Sequence, residues 1–353
     1  MLFRSLTKKS YIENGEYLGV SAAGCDGRMK HFEHEVGTVV LSAIGANCGR
    51  VFYPNEKFTA IKNTITFTPD RKKLYLKFLF YILKDNTFPK RGGGQPFMTK
   101  GDVKKYKIPL PPIEVQKEIV ERIEVKQKAI EAAKAVIENL ERERRYFGQS
   151  LIRRRQCFGG QGKIKDVEWV ELGDVANFIG GYAFKSNKLL SQQLENSLPV
   201  IKIGNLNKDG TINTNFEYYK FSNELKRYLI KKGDVLIAMT GATVGKVAVS
   251  NSDNLLLNQR VGLVRIKGNI IQEFIKWLLL SDLFYEYAQQ TAGGGAQGNI
   301  SPTQILKYKI PLPPLETQKQ LVAEMEEQEK IIEANKKLVG IMEQKIAEVL
   351  SEI

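Results

Sequence analysis

Twelve polar side chains stand on short loops where they can meet a ligand: Asn47, Arg50, Lys90, Arg91, Gln95, Lys185, Ser186, Thr240, Thr243, Lys246, Gln297 and Asn299. Ala46-Asn-Cys-Gly-Arg50 and Thr240-Gly-Ala-Thr-Val-Gly-Lys246 each end in a cation. Lys90-Arg-Gly-Gly-Gly-Gln-Pro-Phe97 and Gly293-Gly-Gly-Ala-Gln-Gly-Asn299 each carry a side-chain amide, and Gly180-Gly-Tyr-Ala-Phe-Lys-Ser186 sets aromatics beside a lysine. Glycine admits close backbone approach. Cations and hydroxyls suit phosphate oxygens, and Asn or Gln matches the paired acceptor and donor of adenine in a major groove. An ordinary polar hairpin turn would carry the same residues, and Phe184 equally suits a core, so no single loop decides the matter.

No catalytic constellation accompanies these loops. The chain has no Gly-x4-Gly-Lys-Ser/Thr phosphate loop and no Asn/Asp-Pro-Pro-aromatic motif of an amino-methyltransferase. Pro111-Pro112 and Pro313-Pro314 follow leucine, without the amide or carboxylate that would hold a target amine. Pro69-Asp70 begins like a nuclease motif, but the basic run Arg71-Lys-Lys73 follows it. His31 and His34 lack a third ligand nearby and read as a surface pair rather than a zinc site. The chain reads as a binder, with no metal or cofactor of its own.

Charge points the same way. The net charge is +14 over 353 residues. Residues 1–106 carry +9, 107–164 carry +5, 165–308 carry +3 and 309–353 carry −3. A basic excess of this kind favours a polyanion, because each phosphate contact releases counterions. No apolar run approaches a membrane span. Met1–Asn14 shows no signal-peptide core, and the three cysteines, Cys25, Cys48 and Cys157, are isolated and odd in number. These features predict a cytoplasmic protein with free thiols.

The elements that must position the loops occur twice. Lys105–Glu124 matches Lys307–Glu326 at 13 of 20 positions, 202 residues apart. Gly37–Val51 matches Gly233–Val247, and the glycine triplet Gly92–Gly94 matches Gly293–Gly295. A period this long means a duplicated domain with an attached helix, not a solenoid. Short β-rich runs at Thr38–Ser42, Arg50–Tyr53, Thr59–Ile61 and Thr64–Phe67 recur as Gly233–Met239, Gly245–Val249, Leu255–Leu257 and Val261–Ile266. A helix is predicted after each set, over Leu74–Leu83 and Ile271–Gln289.

Prolines 109, 111 and 112 hold the first connector extended, and a long helix follows. Apolar residues then recur every 3.5 positions. Ile119, Ile123, Ile130, Ile137 and Leu140 mark the seam, which continues through Phe147 and Leu151. Leu321, Met325, Ile332, Val339, Met342 and Ile346 mark the second copy, and Lys126, Gln328 and Asn335 are polar seam positions. The spacing predicts a coiled coil. The expected fold is therefore α+β: two mainly-β domains (1–107 and 161–309), each with a connector and long helix (108–160 and 310–353). An antiparallel pairing of the helices would give a pseudo-two-fold arrangement. The first domain is expected to be shortened at its start, spending 36 residues from Met1 to Gly37 where the second spends 66 from Val167 to Gly233. It is expected to lack any counterpart of Trp169–Lys188.

This organisation closely resembles the specificity, or DNA-recognition, subunits of Type I restriction-modification enzymes. The resemblance rests on strand–Ile-Pro-Leu-Pro-Pro-x-Glu-x-Gln–helix at Ile108–Gln116 and Ile310–Gln318, on the paired Gly-x-Val hairpins, and on Trp169-Val-Glu-Leu-Gly-Asp-Val175. It implies two target-recognition domains on duplex DNA, an antiparallel coiled coil, and partners in the form of methyltransferase subunits and a restriction/translocase subunit. S-adenosylmethionine, ATP and magnesium are then expected on those partners. A Type IIB specificity subunit is the nearest alternative, separable by neighbouring genes. A coiled-coil adaptor with basic nucleic-acid-binding domains is a second, separable by salt-dependent, sequence-specific duplex binding.

Overall fold

The computed structural model describes residues 6–85, 88, 90–92, 94–156, 167–293 and 298–353. The chain divides into two compact units, Met1–Lys134 with Lys337–Ile353, and Ala135–Lys336. The division runs through both long helices, so each unit holds a segment of each.

Unit 1 carries two three-stranded sheets. One has the order Gly24–Met29, Tyr17–Ser21, Phe58–Ala60, with an antiparallel and then a parallel pairing. The other, all antiparallel, has the order Val51–Phe52, Val40–Ser42, Thr64–Thr66. Every residue of Val40–Ser42 is buried, because the strand is covered on both faces. Leu41 meets Leu79 and Leu83 of the Leu76–Asp85 helix, while Val40 turns to Val20 and Phe58. A strand buried on two sides reads as continuous rather than alternating hydrophobicity.

Unit 2 repeats both sheets and adds one strand to each. Their orders are Glu217–Lys220, Ser197–Ile201, Leu255–Leu257, Leu229–Ile230, and Val247–Val249, Val235–Ala238, Val261–Ile266, Ala176–Gly180. Val235–Ala238 is again covered on both faces, with Val235 and Ile237 in one cluster and Leu236 and Ala238 in another. The single helix expected over Ile271–Gln289 is two, Gln272–Leu280 and Asp282–Thr291. Extended Ser281 separates them, its hydroxyl donating to the Leu278 carbonyl. Periodicity persists across a one-residue break, which is why the sequence does not reveal it.

The connectors end in a buried glutamine. Gln116 is fully buried. Its Oε1 accepts from the Tyr75 amide at 2.8 Å, and its Nε2 donates to the carbonyls of Lys73 (2.8 Å) and Pro111 (2.7 Å). Gln318 does the same in unit 2, accepting from the Ile271 amide at 3.1 Å and donating to Pro313 at 2.8 Å. Each glutamine thus satisfies an amide at the start of its unit's own helix, a group no helical partner can satisfy. Proline supplies the extended carbonyl on the other side. That is the physical content of the repeated Pro-Pro-x-Glu-x-Gln motif.

The long helices span Ile113–Arg145 and Leu315–Ser351, about 50 and 55 Å at ~1.5 Å per residue. Within unit 1 their segments run antiparallel. Arg122 forks onto Glu352 at 2.8 and 3.1 Å, and Lys134 reaches Glu343 at 3.5 Å. Ile119, Ile123 and Val349, with half-buried Ile346, close over Phe78 and Ile82. Unit 2 has the same sense, with Lys336 on Glu141 at 3.1 Å and Gln328 on Glu143 at 3.1 Å. There Leu321 and Met325 join the main core. Ile130 and Ile332 are buried, whereas Ile137, Leu140, Val339 and Met342 are half-buried.

One seam expectation is corrected. The first long helix stops at Arg145, and a separate helix, Phe147–Gln156, turns Phe147 and Leu151 into the unit 2 core. Of the polar seam residues only Gln328 reaches across. Lys126 and Asn335 donate back to carbonyls four residues earlier, those of Arg122 and Ile331.

Candidate nucleic-acid interface

In each unit a hairpin turn and a later loop are joined by the same backbone contacts. In unit 1 the Gly45 amide donates to Pro96 at 2.8 Å, the Met98 amide donates to Ala43 at 2.8 Å, and Ile44 bridges to Phe97. In unit 2 the Gly241 amide donates to Gly298 at 2.8 Å, the Ile300 amide donates to Met239 at 2.9 Å, and Thr240 bridges to Asn299. The junction is built from main chain, so its side chains are free to differ. Gly45 (φ 78°) and Gly241 (φ 71°) take the left-handed conformation that the turn requires.

Side chains chosen from the sequence gather at these junctions. In unit 1, Arg50 is exposed over the Phe52 ring at 5.5 Å, Lys90 runs beside Gly49, and Gln95 is exposed. Arg91 is held by Asp102, which also caps Thr99. Burial pushes the Cys48 thiol up, and the Lys90 charge partly offsets that push. In unit 2, Thr243 and Lys246 are half-buried, Asn299 is exposed, and the buried Thr240 hydroxyl has no hydrogen-bond partner among the described residues. No carboxylate among the described residues lies within ion-pair distance of Arg50 or Lys246. Gln297 and Cys157 lie outside the described residues, as do parts of both glycine triplets.

Lys185 and Ser186 are exposed at the start of a short turn, while Phe184 is core, its ring tilted against that of Tyr219 with centroids 4.8 Å apart. Their loop reaches the junction through one turn: the Gln259 amide donates to Tyr182, and the Met239 amide to Arg260. Unit 1 repeats this with the Lys62 amide on Leu6 and the Ala43 amide on Asn63. Leu6–Ser10 therefore occupies the place of Tyr182–Ser186, correcting the expectation that the first unit has no such loop. Here Asp26 accepts from Lys8 (2.5 Å), Tyr11 (2.8 Å) and Ser21 (2.9 Å). Burial opposes its ionisation, but these bonds outweigh burial and hold the carboxyl below its usual range.

Residues 4–142 and 164–349 match the Type I restriction modification DNA specificity domain, nearly the whole chain. The chain belongs to that family. It is 27% identical over 318 residues to the MjaVIII specificity subunit of Methanocaldococcus jannaschii, covering 85% of this chain and 74% of that one. A putative type I restriction enzyme specificity subunit of Haemophilus influenzae is 28% identical over 281 residues, covering 76% and 67%. The fold matches the crystal structure of a Type I restriction-modification S subunit from M. genitalium with a TM-score of 0.62, 18% identity, and coverage of 98% and 90%.

Sequence reasoning missed two exposed residues of this specificity subunit, Gln259 and Arg260, which sit on the turn linking both loops. The only signal is a polar pair between buried Asn258 and Val261. Among the described residues no group of three or more His, Cys, Asp or Glu is placed to hold a metal, and no helix is long and apolar enough to cross a membrane.

Proposed function

We propose that this specificity subunit reads a bipartite duplex DNA target, one half with the loops of each unit. Its long helices recruit methyltransferase subunits and a restriction/translocase subunit. The chain itself contributes no catalytic residue. S-adenosylmethionine, ATP and magnesium belong to the partners, and the complex works in the cytoplasm.

The observation that carries this reading is the duplicated junction: identical main-chain bonds present different side chains in the two units. Phosphate contacts position a protein on a duplex, whereas base contacts carry sequence information. A constant scaffold with variable polar tips meets both needs. The cations Arg50 and Lys246 occupy one equivalent hairpin position, which suits phosphate contact in two heads that read different bases.

Methylome sequencing of cells with and without the gene tests the proposal, with a bipartite motif as the expected result. Replacing residues 165–305 by the same region of another family member should change one half of that motif. If both halves change together, the two units do not read independently. Purified chain given duplex DNA, S-adenosylmethionine, magnesium and ATP should leave the DNA unmodified, and turnover would overturn the non-catalytic assignment.

A further inference from the structure

Unit 1 contains an open recess of about 330 Å³ where four separate stretches of chain converge. Its lining combines apolar groups, the hydroxyls of Thr7 and Ser21, amides and lysines. Ala22, Ala23 and Ala46 present methyl groups, Asn47 and Asn63 present amides, and Lys62 is exposed. No carboxylate lines it, so it carries no formal negative charge to hold a cation. The other lysine of the recess, Lys8, is occupied by Asp26.

The two amides are held but not engaged. The Asn47 carbonyl accepts from the Arg50 amide at 2.9 Å, and the Asn63 carbonyl accepts from the Ala43 amide at 2.9 Å. Neither side-chain amide has a hydrogen-bond partner among the described residues. Asn63 sits at φ 71°, a left-handed conformation that asparagine tolerates better than most residues. The main chain thus fixes the origin of each amide while its donor and acceptor stay free. In unit 2 the hairpin position equivalent to Asn47 is Thr243, whose hydroxyl already donates to the Thr240 carbonyl.

We propose that this recess reads one A·T pair of the first half-site from the major groove. Adenine presents an acceptor and a donor side by side, which an asparagine amide can meet with two bonds, and alanine methyls suit the thymine methyl. Guanine presents two acceptors and offers no donor for the asparagine oxygen. Lys62, exposed beside the pair, takes a flanking phosphate. The proposal rests on the reading of unit 1 as a DNA-recognition head.

The test uses the full complex with its methyltransferase and duplexes carrying all four base pairs at each position of the target. Asn63→Gly keeps the left-handed backbone and removes the amide. It should relax discrimination at one A·T position of the first half-site by roughly ten- to a hundredfold and leave the second half-site unchanged. Asn63→Asp should move preference at that position toward cytosine, whose exocyclic amine a carboxylate accepts. Replacing the thymine of that pair by uracil should weaken binding by the parent. Melting curves of each variant establish that it is folded. Unchanged discrimination in folded Asn63→Gly and Asn47→Ala, or relaxation at a G·C pair or in the second half-site, overturns the proposal. A parent complex with no sequence preference would instead overturn the recognition function beneath it.

Discussion

The two units share both sheets, the hairpin junction and the buried glutamine, yet differ along one strip. In unit 2 the connector strand Lys309–Leu312 pairs with Glu168–Glu171, and Val261–Ile266 pairs with Ala176–Gly180. In unit 1 neither residues 107–110 nor the outer edge of Thr64–Thr66 has a strand partner among the described residues. Leu110 is accordingly exposed. An open edge invites pairing with another chain, and Pro109, Pro111 and Pro112 blunt it by removing donors. The junction forms with or without the strip. It is made by the hairpin and the later loop that bonds to it.

The cores differ in a related way. Among the described residues unit 2 gathers 25 buried residues in one cluster, whereas unit 1 divides its larger clusters into nine and six. The six-residue cluster is the one that the long helices seal, so damage there should fall on unit 1 alone. Ile123→Asp should destabilise unit 1 by about 3–5 kcal/mol, because a carboxylate would be buried without a partner. Calorimetry should show its transition fall while that of unit 2 stays. Equal shifts in both would break the comparison. Half-buried Ile137 and Val339 predict a smaller loss for Ile137→Asp or Val339→Asp, about 1–2 kcal/mol.

The latches rank next. Gln116 makes three hydrogen bonds and Gln318 two. Leucine at either site strands buried backbone groups, at about 1–3 kcal/mol. Urea titration should therefore find Gln116→Leu more damaging than Gln318→Leu, and the reverse order would show that connector pairing rather than bond count sets the cost. In binding, Arg50→Ala should lower the salt slope by about one and Lys246→Ala by less, since Arg50 is exposed and Lys246 half-buried. Dissociation constants across a salt series measure both.

The smallest expected effect concerns pH. Both histidines lie in unit 1. Burial holds the His34 imidazole below its ordinary value of 6.5, with the Glu33 charge opposing. The unfolded chain then binds that proton more readily, so His34 costs no stability above pH 6.5 and a growing amount as pH falls below it. The melting temperature of unit 1 should sag over that window and flatten in His34→Gln. A slope that survives the substitution would assign the effect to other groups.

How much of this was legible in the sequence follows from where identity is enforced. The connectors repeat because proline carbonyls and a glutamine must meet a buried amide, a demand that fixes residue type. Leu6–Ser10 was not recognisable as the counterpart of Tyr182–Ser186, because the match lies in main-chain bonds that any residue can make. Phe147 and Leu151 kept the heptad spacing while changing partner, and periodicity records burial without naming what covers it. Gln259 and Arg260 belong to no repeat and no glycine-rich run. Only their place on a turn brings them to the candidate interface.

Pairing of the long helices also imposes an order on biosynthesis. Arg122 waits for Glu352, 230 residues later, and Val349 closes the cluster over Phe78 and Ile82. At about 5–20 residues per second, a ribosome takes on the order of 12–45 s to supply that partner. Throughout that interval the apolar face of Ile119, Val120 and Ile123 lacks the cover of Ile346 and Val349 on the nascent chain, a target for chaperones. A stop codon in the last two turns would leave every candidate interface loop intact and still strand the first unit in that unfinished state.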